Sequence, residues 1–204
     1  MQRRAIPIAV AALALALFWW TRPGDDRRGP YSEMDSDVQE CTDNLLAIHD
    51  GLKAYHERFG HLPEPSGVAF LAELVRSGVW ENTPASVARL TCPGAHAQPV
   101  PAGTRYDRPE TLTAASSAYA GPDVEHHPLP RFPAGGPELQ ALVACDNAHG
   151  SNHDGVSNVL YSDRSVRSFT LAQLRERGDV PETAVYLVIG PDSPLEDVRT
   201  LVGD

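Results

Sequence analysis

The most regular pattern of apolar and polar positions in this 204-residue chain lies between residues 38 and 59. Apolar residues recur there at alternating spacings of three and four, which places them on one face of an α-helix of about six turns. They are Val38, Cys41, Leu45, Ile48, Leu52, Tyr55 and Phe59. Ser36 or Asp37 can cap the start of this helix, and Gly60 followed by Pro63 ends it. The stripe predicts burial against a sheet; a coiled-coil seam would give the same spacing, but about three heptads are short for one.

Weaker patterns predict the remaining elements. Further helices are expected over residues 66–77, 171–177 and 195–201, and strands over 117–120 and 184–189, while residues 139–144 are expected to be ordered without an assigned element. Nine of the eighteen prolines lie between Cys92 and Pro137, so only short strands fit there. These elements together predict an α+β fold, with a long N-terminal helix packed on a small antiparallel sheet and loops inserted between.

A β-hairpin is predicted over residues 158–169, where two runs of strand-forming residues flank Asp163 and Arg164. A two-residue hairpin turn needs positive φ at both central positions, and arginine suits that conformation poorly. The sequence therefore predicts either strain at Arg164 or a different type of turn. If strain is present, Arg164→Gly should stabilise the protein by about 1 kcal/mol.

The amino terminus carries an uncharged apolar run, residues 5–20, which follows Arg3 and Arg4. As a helix it would span about 24 Å, short of a hydrocarbon core of about 30 Å, and Trp19 and Trp20 suit the interface beyond it. We interpret residues 1–4 as a cytoplasmic stub, 5–21 as a transmembrane anchor, 22–36 as a linker and 37–204 as an extracytoplasmic domain. A cleaved signal peptide is the alternative, although the run ends in Phe-Trp-Trp rather than in small residues. Both interpretations place the domain across the membrane, and the anchor predicts a single-pass inner-membrane protein facing the periplasm.

Charge and cysteine content narrow the choice of partners. The net charge of −10 argues against nucleic-acid binding, which needs a concentrated basic surface. Cys41, Cys92 and Cys145 include no CxxC pair, so their spacing does not indicate structural zinc. Outside the cytoplasm, one disulfide and one spare thiol are expected, with the pairing left open. Burial of the cysteines as small hydrophobic side chains is the alternative.

Several segments, in order along the chain, resemble the pseudopilin-like proteins of type II secretion, G type, and in particular the pilin-like proteins of planctomycete-type bacteria. The first segment runs from Cys41 to Tyr55 and on to Pro63. The later landmarks are Leu90-Thr91-Cys92-Pro93, Ser116 to Gly121 around Tyr119, and Cys145-Asp146 followed by a His-x9-Asp-Gly motif in which Arg164 replaces the glycine. The motif positions are Asn44, Cys92, Pro93, Tyr119, His153, Asn158 and Asp163. This resemblance implies a pilin-like fold over about residues 38–202.

The chain also departs from that family at its start. Residues 5–20 contain neither the processing-site glycine nor the glutamate of pilin leaders. The prolines and glycines of the linker would interrupt the continuous pilin helix, since proline costs a helix interior about 3 kcal/mol. The resemblance therefore implies the soluble fold, and assembly into a filament stays open.

The densest polar cluster lies in residues 146–163. Metal ligands are conceivable there, and the candidates are Asp146, His149, His153, Asp154 and Asp163. Calcium suits the alternating oxygen ligands, although the EF-hand pattern is absent, and a His149–His153 pair could bind zinc on a helix that Gly150 and Gly155 disfavour. The simpler interpretation is a loop whose side chains cap backbone amides, with His153 and Asp163 as partners.

No catalytic set is complete in the sequence, so no catalytic residue and no cofactor are predicted. Neither a nucleophile elbow nor a phosphate-binding loop occurs. Cys145 near His149 and His153 could mimic a thiol–imidazole pair, but a disulfide or a buried cysteine explains it more simply. The leading expectation is a non-enzymatic envelope protein with a structural or interaction role, whose partners are envelope proteins and possible secretion-system components. The alternatives are a metal-dependent extracytoplasmic enzyme and a calcium-stabilised binding module that use the 146–163 region.

Overall fold

The computed structural model describes residues 36–129, 132, 139–145 and 151–203. The predicted stub, the anchor at 5–21 and the linker up to residue 35 lie outside the described residues. Within the described ranges, no helix combines the length and the hydrophobicity that crossing a membrane requires.

The long amphipathic helix is present with the predicted bounds. Helix α1 spans Ser36–Phe59 and buries the predicted stripe from Val38 to Tyr55, whereas Phe59 at its end is exposed. The helix stops at Gly60, whose φ of 81° lies in the left-handed region that glycine tolerates best. The 3–4 spacing places the apolar residues on one face of the helix, and that face is therefore the one that is buried.

Three shorter α-helices follow. Helix α2 spans Gly67–Arg76 and confirms the second predicted helix, and α3 is a single turn over Pro84–Ala88 that Thr83 caps. Helix α4 spans Leu171–Arg177, with the Thr170 hydroxyl accepting a hydrogen bond from the Gln173 amide. Short 3₁₀ segments lie at Pro109–Thr111, Ala114–Ser116 and Glu196–Val198.

Two small antiparallel sheets complete the fold. Strands β2 (Ala141–Ala144), β3 (Val156–Tyr161) and β4 (Val166–Thr170) form a three-stranded sheet in the order β2-β3-β4. Strands β1 (Gly121–Pro122) and β5 (Leu201–Val202) pair with each other, and a bridge between Ala120 and Ala144 joins the two sheets. Helix α1 packs against β3, and its stripe shares one hydrophobic core with α2 and the β2–β3 pair. The α+β class is therefore confirmed.

The hairpin is present, but its turn differs from the predicted two-residue type. The Tyr161 amide donates to the Ser165 carbonyl at 2.9 Å, and the Arg164 amide donates to the Tyr161 carbonyl at 3.0 Å. Among the non-glycine residues described, Arg164 alone has a positive φ, of 72°. This arrangement fits a three-residue loop in which one left-handed residue follows a type I turn. The turn is therefore of a different type, as the poor fit of arginine indicated, and Arg164 nevertheless has the one positive φ that this type of turn needs.

Three other predictions need correction. Residues 184–189 form no strand, although they are rich in strand formers. No other strand in the described part of the chain pairs with them, and strand preference reflects packing on a pleated surface more than an intrinsic tendency. Residues 195–201 form a 3₁₀ turn and the start of β5 rather than a helix. In the 117–120 segment only Ala120 forms a bridge, and the strand itself begins at Gly121.

Candidate metal centre

Three thiols and one imidazole meet in the interior of the described structure. The ligand-type atoms of Cys41, Cys92, Cys145 and His153 all lie within 4.8 Å of one another. All four side chains are buried, with exposed fractions of 0 to 4%. Because soft sulfur and nitrogen donors converge in a space of this size, the cluster is a candidate metal centre.

Four separate segments deliver these donors. Cys41 lies on the buried stripe of α1, and Cys145 directly follows β2. Cys92 follows α3 in an irregular loop, and His153 lies in the loop that precedes β3. The packing of α1 on the β2–β3 pair therefore brings together residues that are remote in sequence.

The loop around Cys92 depends on a glycine. The Gly94 amide points at the Cys92 sulfur, with a nitrogen–sulfur distance of 3.4 Å. A Cβ atom at position 94 would collide with the carbonyl oxygen of Asn152 and would lie 3.0 Å from Nδ1 of His153. Only glycine allows the loop to approach the His153 segment this closely.

Each sulfur has a hydrogen-bond donor beside it. The Gly94 amide serves Cys92, and the Asn158 amide serves Cys145 at 3.0 Å. The hydroxyl of the buried Tyr119 points to the Cys41 sulfur at 3.8 Å. Donors of this kind stabilise negative charge on sulfur, so the pocket suits thiolates better than neutral thiols.

The His153 ring is held at both nitrogens. Its Nε2 lies 3.1 Å from the Cys92 sulfur, and its Nδ1 lies 3.0 Å from Oδ2 of Asp37. Asp37 belongs to the first turn of α1, and its Oδ2 also accepts a hydrogen bond from the Ala95 amide at 3.3 Å. A carboxylate on one ring nitrogen fixes the other as the ligand atom, an arrangement common around metal-binding histidines.

The pKa shifts within the cluster favour a thiolate at Cys41 facing a protonated His153. Burial raises the pKa of Cys41, but hydrogen bonds from the Cys145 and Cys92 thiols and from His153 more than offset it and hold that pKa well below its usual range. Burial lowers the pKa of His153, yet the Cys41 thiolate and the Asp37 carboxylate raise it to about 9. Hydrogen bonding with Cys145 lowers the pKa of Cys92, but the charged Cys41 beside it and burial raise it overall. One negative charge on Cys41 is thus balanced by one positive charge on His153.

The donor set matches tetrahedral coordination. Zinc binds cysteine sulfur at about 2.3 Å and histidine nitrogen at about 2.0 Å, which separates neighbouring ligand atoms by roughly 3.3 to 3.8 Å. Donors within 4.8 Å of one another need only small shifts to reach those separations. As a nucleophile the Cys41 thiolate is poorly placed, because its sulfur is fully buried.

Of the three candidate metal ligands that the structure describes, which are His153, Asp154 and Asp163, His153 joins the cluster and the other two do not. Asp154 is exposed and contacts His96, with Nε2 and Oδ1 3.1 Å apart. Asp163 accepts hydrogen bonds from Ser165 within the hairpin turn, so its expected pairing with His153 is wrong. Asp146 and His149 lie outside the described residues. The prediction of a polar loop that contains a metal-ligand candidate located the right region. It named the wrong partners for His153, because the residues that contact its ring come from other segments.

Some of the resemblance landmarks lie at the same centre, whereas Asp163 lies in the hairpin turn. Cys92, Tyr119 and His153 belong to it directly, and Pro93 follows a ligand in the chain. The Asn158 side chain donates to the Val38 carbonyl at 3.3 Å and accepts from the Ser168 hydroxyl at 2.6 Å. Asn44 is buried on α1.

The cysteines as a ligand set, and Asp37 behind them, were missed from the sequence. The three buried cysteines form no disulfide with one another, so the expected disulfide pair is not present. A structural zinc site on the cysteines was not predicted because the sequence has no CxxC pair. A site whose ligands come from four segments does not need such a pair. The short Cys145-to-His153 interval and the Cys92-Pro93-Gly94 turn were the local signals available.

No protein-family model matches the chain, and comparisons with characterised proteins and with solved structures likewise find no significant match.

Proposed function

We propose that this protein binds one Zn²⁺ in the Cys41, Cys92, Cys145 and His153 centre and that the ion has a structural, non-enzymatic role. The observation that carries the proposal is the convergence of four buried donors within 4.8 Å. Three thiolates and one imidazole form one of the common ligand sets of structural zinc sites. Soft thiolates also bind Cu⁺. We propose zinc because four converging donors suit its tetrahedral coordination, and competition between the two ions tests this choice.

The non-enzymatic part of the proposal rests on coordination number. Catalytic zinc sites use three protein ligands and leave a position for water or substrate, whereas structural sites are closed by four. Here the four donors are all protein side chains, and Cys41 and Cys145 are fully buried. A metal-dependent enzyme built on His149, His153 and Asp163 is disfavoured, because His153 already faces Cys92 and Asp37 while Asp163 is engaged in the turn.

The setting proposed for this module is the cell envelope. The apolar run at 5–21 supports an inner-membrane anchor with the domain in the periplasm, and the ordered landmarks support a pilin-like relationship. The α+β arrangement, in which α1 packs on a small antiparallel sheet, is compatible with that relationship. The partners would then be other envelope proteins, met through a surface that the metal centre holds in shape.

Metal analysis and thermal unfolding of the full chain in detergent test the metal role. After incubation with Zn²⁺ we expect one bound zinc ion per chain. In a competition with Cu⁺ at equal concentration we expect no more than one bound copper ion per chain. At free zinc about 1,000-fold above the dissociation constant, binding adds about 4 kcal/mol, which corresponds to a rise in melting temperature of roughly 10 °C.

Matched variants separate the centre from surface binding. Cys92→Ser and His153→Gln should lose the zinc and the thermal shift, with circular dichroism checking that each variant folds. His126→Ala removes an exposed histidine that pairs with Asp123 and should change neither quantity. Wild-type protein that stays metal-free, or a His153→Gln variant that keeps full affinity, would overturn the proposal.

A further inference from the structure

A surface pocket opens beside the candidate metal centre. It has a volume of about 430 Å³, and its lining includes Asp37, His96, His153 and Asp154. We call these four residues and the space between them the entrance pocket. His153, a donor of the metal centre, therefore forms part of the pocket wall. The other titratable side chains of the pocket are the carboxylates of Asp37 and Asp154 and the imidazole of His96.

The burial pattern makes this pocket the natural path to the centre. Cys41 and Cys145 have no exposed surface, and the buried Tyr119 lies behind Cys41. His153 is the donor that borders the entrance pocket, with Cys92 in contact with its ring at 3.1 Å. An ion that reaches the sulfurs from this pocket passes the His153 ring first.

The outer rim of the pocket carries a preformed pair of metal-type ligands. Nε2 of His96 and Oδ1 of Asp154 are 3.1 Å apart, and both side chains are largely exposed. The two ligand atoms of a tetrahedral zinc site lie about 3.3 Å apart when one is nitrogen and the other oxygen. The two atoms therefore already have the separation of neighbouring ligands, and to bind a divalent cation they need only break their mutual hydrogen bond and turn toward the ion.

The backbone fixes this pair against the centre. The His96 amide donates to the Asn152 carbonyl at 3.2 Å, one residue before His153. The neighbouring Ala95 amide donates to Asp37, which holds the far side of the His153 ring. Asp154 directly follows His153 in the chain, so the backbone keeps the His96–Asp154 pair next to His153 even when the two exposed side chains change conformation.

We propose that the entrance pocket is a loading site, where His96 and Asp154 first bind Zn²⁺ and then release it to the buried centre. This proposal rests on the proposed zinc-binding function. In the transfer, the bonds from zinc to the rim nitrogen and oxygen break, and bonds to three sulfurs and Nε2 of His153 form. Each thiol that is still protonated, and the His153 ring, gives its proton to solvent. The negative charge of Asp37 and Asp154 attracts the cation along this path.

Stopped-flow loading of the metal-free full chain with Zn²⁺ tests the proposal. We expect His96→Ala and Asp154→Asn to slow loading about tenfold, a size typical of local electrostatic and ligand steering. The equilibrium affinity, measured by competition with a chelator, should stay within about twofold of wild type. Since affinity is unchanged, release to excess chelator must slow by the same factor as loading.

A second histidine–aspartate pair provides the control. Nδ1 of the exposed His126 and Oδ2 of the mostly buried Asp123 lie 2.9 Å apart, and neither residue lines the entrance pocket. His126→Ala and Asp123→Asn should therefore leave the loading rate unchanged. Wild-type loading rates in the rim variants, with zinc bound normally, would overturn the loading site and leave the zinc centre intact. A fall in equilibrium affinity in the rim variants, with release to chelator as fast as in wild type or faster, would assign the pair to the centre itself and also overturn the loading site. A wild-type chain that binds no zinc would overturn both proposals.

Discussion

At the scale of single residues, Arg164 combines an unfavourable backbone conformation with a favourable side-chain contact. Its φ of 72° lies in the left-handed region, which costs a residue with a Cβ about 1 kcal/mol. Its guanidinium donates two hydrogen bonds to the carboxylate of Asp50 on α1, at 2.8 and 2.9 Å. Both side chains are about half exposed, so solvent screening limits the stabilisation from this pair to a few tenths of a kcal/mol. The backbone strain therefore outweighs the ion pair.

Replacing Arg164 with glycine should consequently stabilise the protein. We expect Arg164→Gly to raise the free energy of unfolding by about 0.5 kcal/mol, and by about 1 kcal/mol in an Asp50→Ala background where no ion pair is lost. Chemical denaturation of the four proteins in this cycle measures both values. Unchanged or lower denaturation midpoints in both backgrounds would contradict the strain at this turn.

At the scale of elements, the first two turns of α1 are joined to the metal centre twice. Cys41 offers a ligand from the buried stripe, and Asp37 holds His153 from the start of the helix. The hydrogen bond from the Ala95 amide ties the same carboxylate to the loop that follows Cys92. Formation of the centre and docking of the helix start therefore support each other.

The charge of Asp37 should matter for metal affinity. Asp37→Asn keeps the size of the side chain but removes the carboxylate behind His153, so we expect zinc affinity to fall 10- to 100-fold. Competition with a chelator at equilibrium measures this change. Asp43→Asn, on the exposed face of the same helix, is the matched control and should keep wild-type affinity. An Asp37→Asn affinity within twofold of wild type would show that the carboxylate does not orient the ligand.

Local patterns were sufficient for the helices and the hairpin. The bounds of α1 and α4 agree with their predictions because a 3–4 spacing and the end signals are properties of neighbouring residues. Residues 184–189 failed because a strand needs a partner that sequence alone does not place. The metal centre could not be predicted for the same reason: its donors converge only after α1 packs on the β2–β3 pair.

At the scale of the whole molecule, the three cysteines can either bind zinc or form a disulfide, and each state excludes the other. With zinc bound, they remain thiolates that tie α1, the Cys92 loop and the end of β2 together. Without metal, in the oxidising compartment that the 5–21 segment predicts, two neighbouring thiols would be oxidised to a disulfide. The convergence of the three sulfurs with His153, and the amide donors beside Cys92 and Cys145, favour the first outcome.

Native mass spectrometry of the full chain, extracted from membranes without reductant or chelator, distinguishes these outcomes most directly. Our account predicts an intact mass that includes residues 5–21 and one zinc ion, with three free thiols appearing once the protein is denatured in chelator. A metal-free chain that lacks two hydrogens, and so carries a disulfide, would contradict the zinc centre.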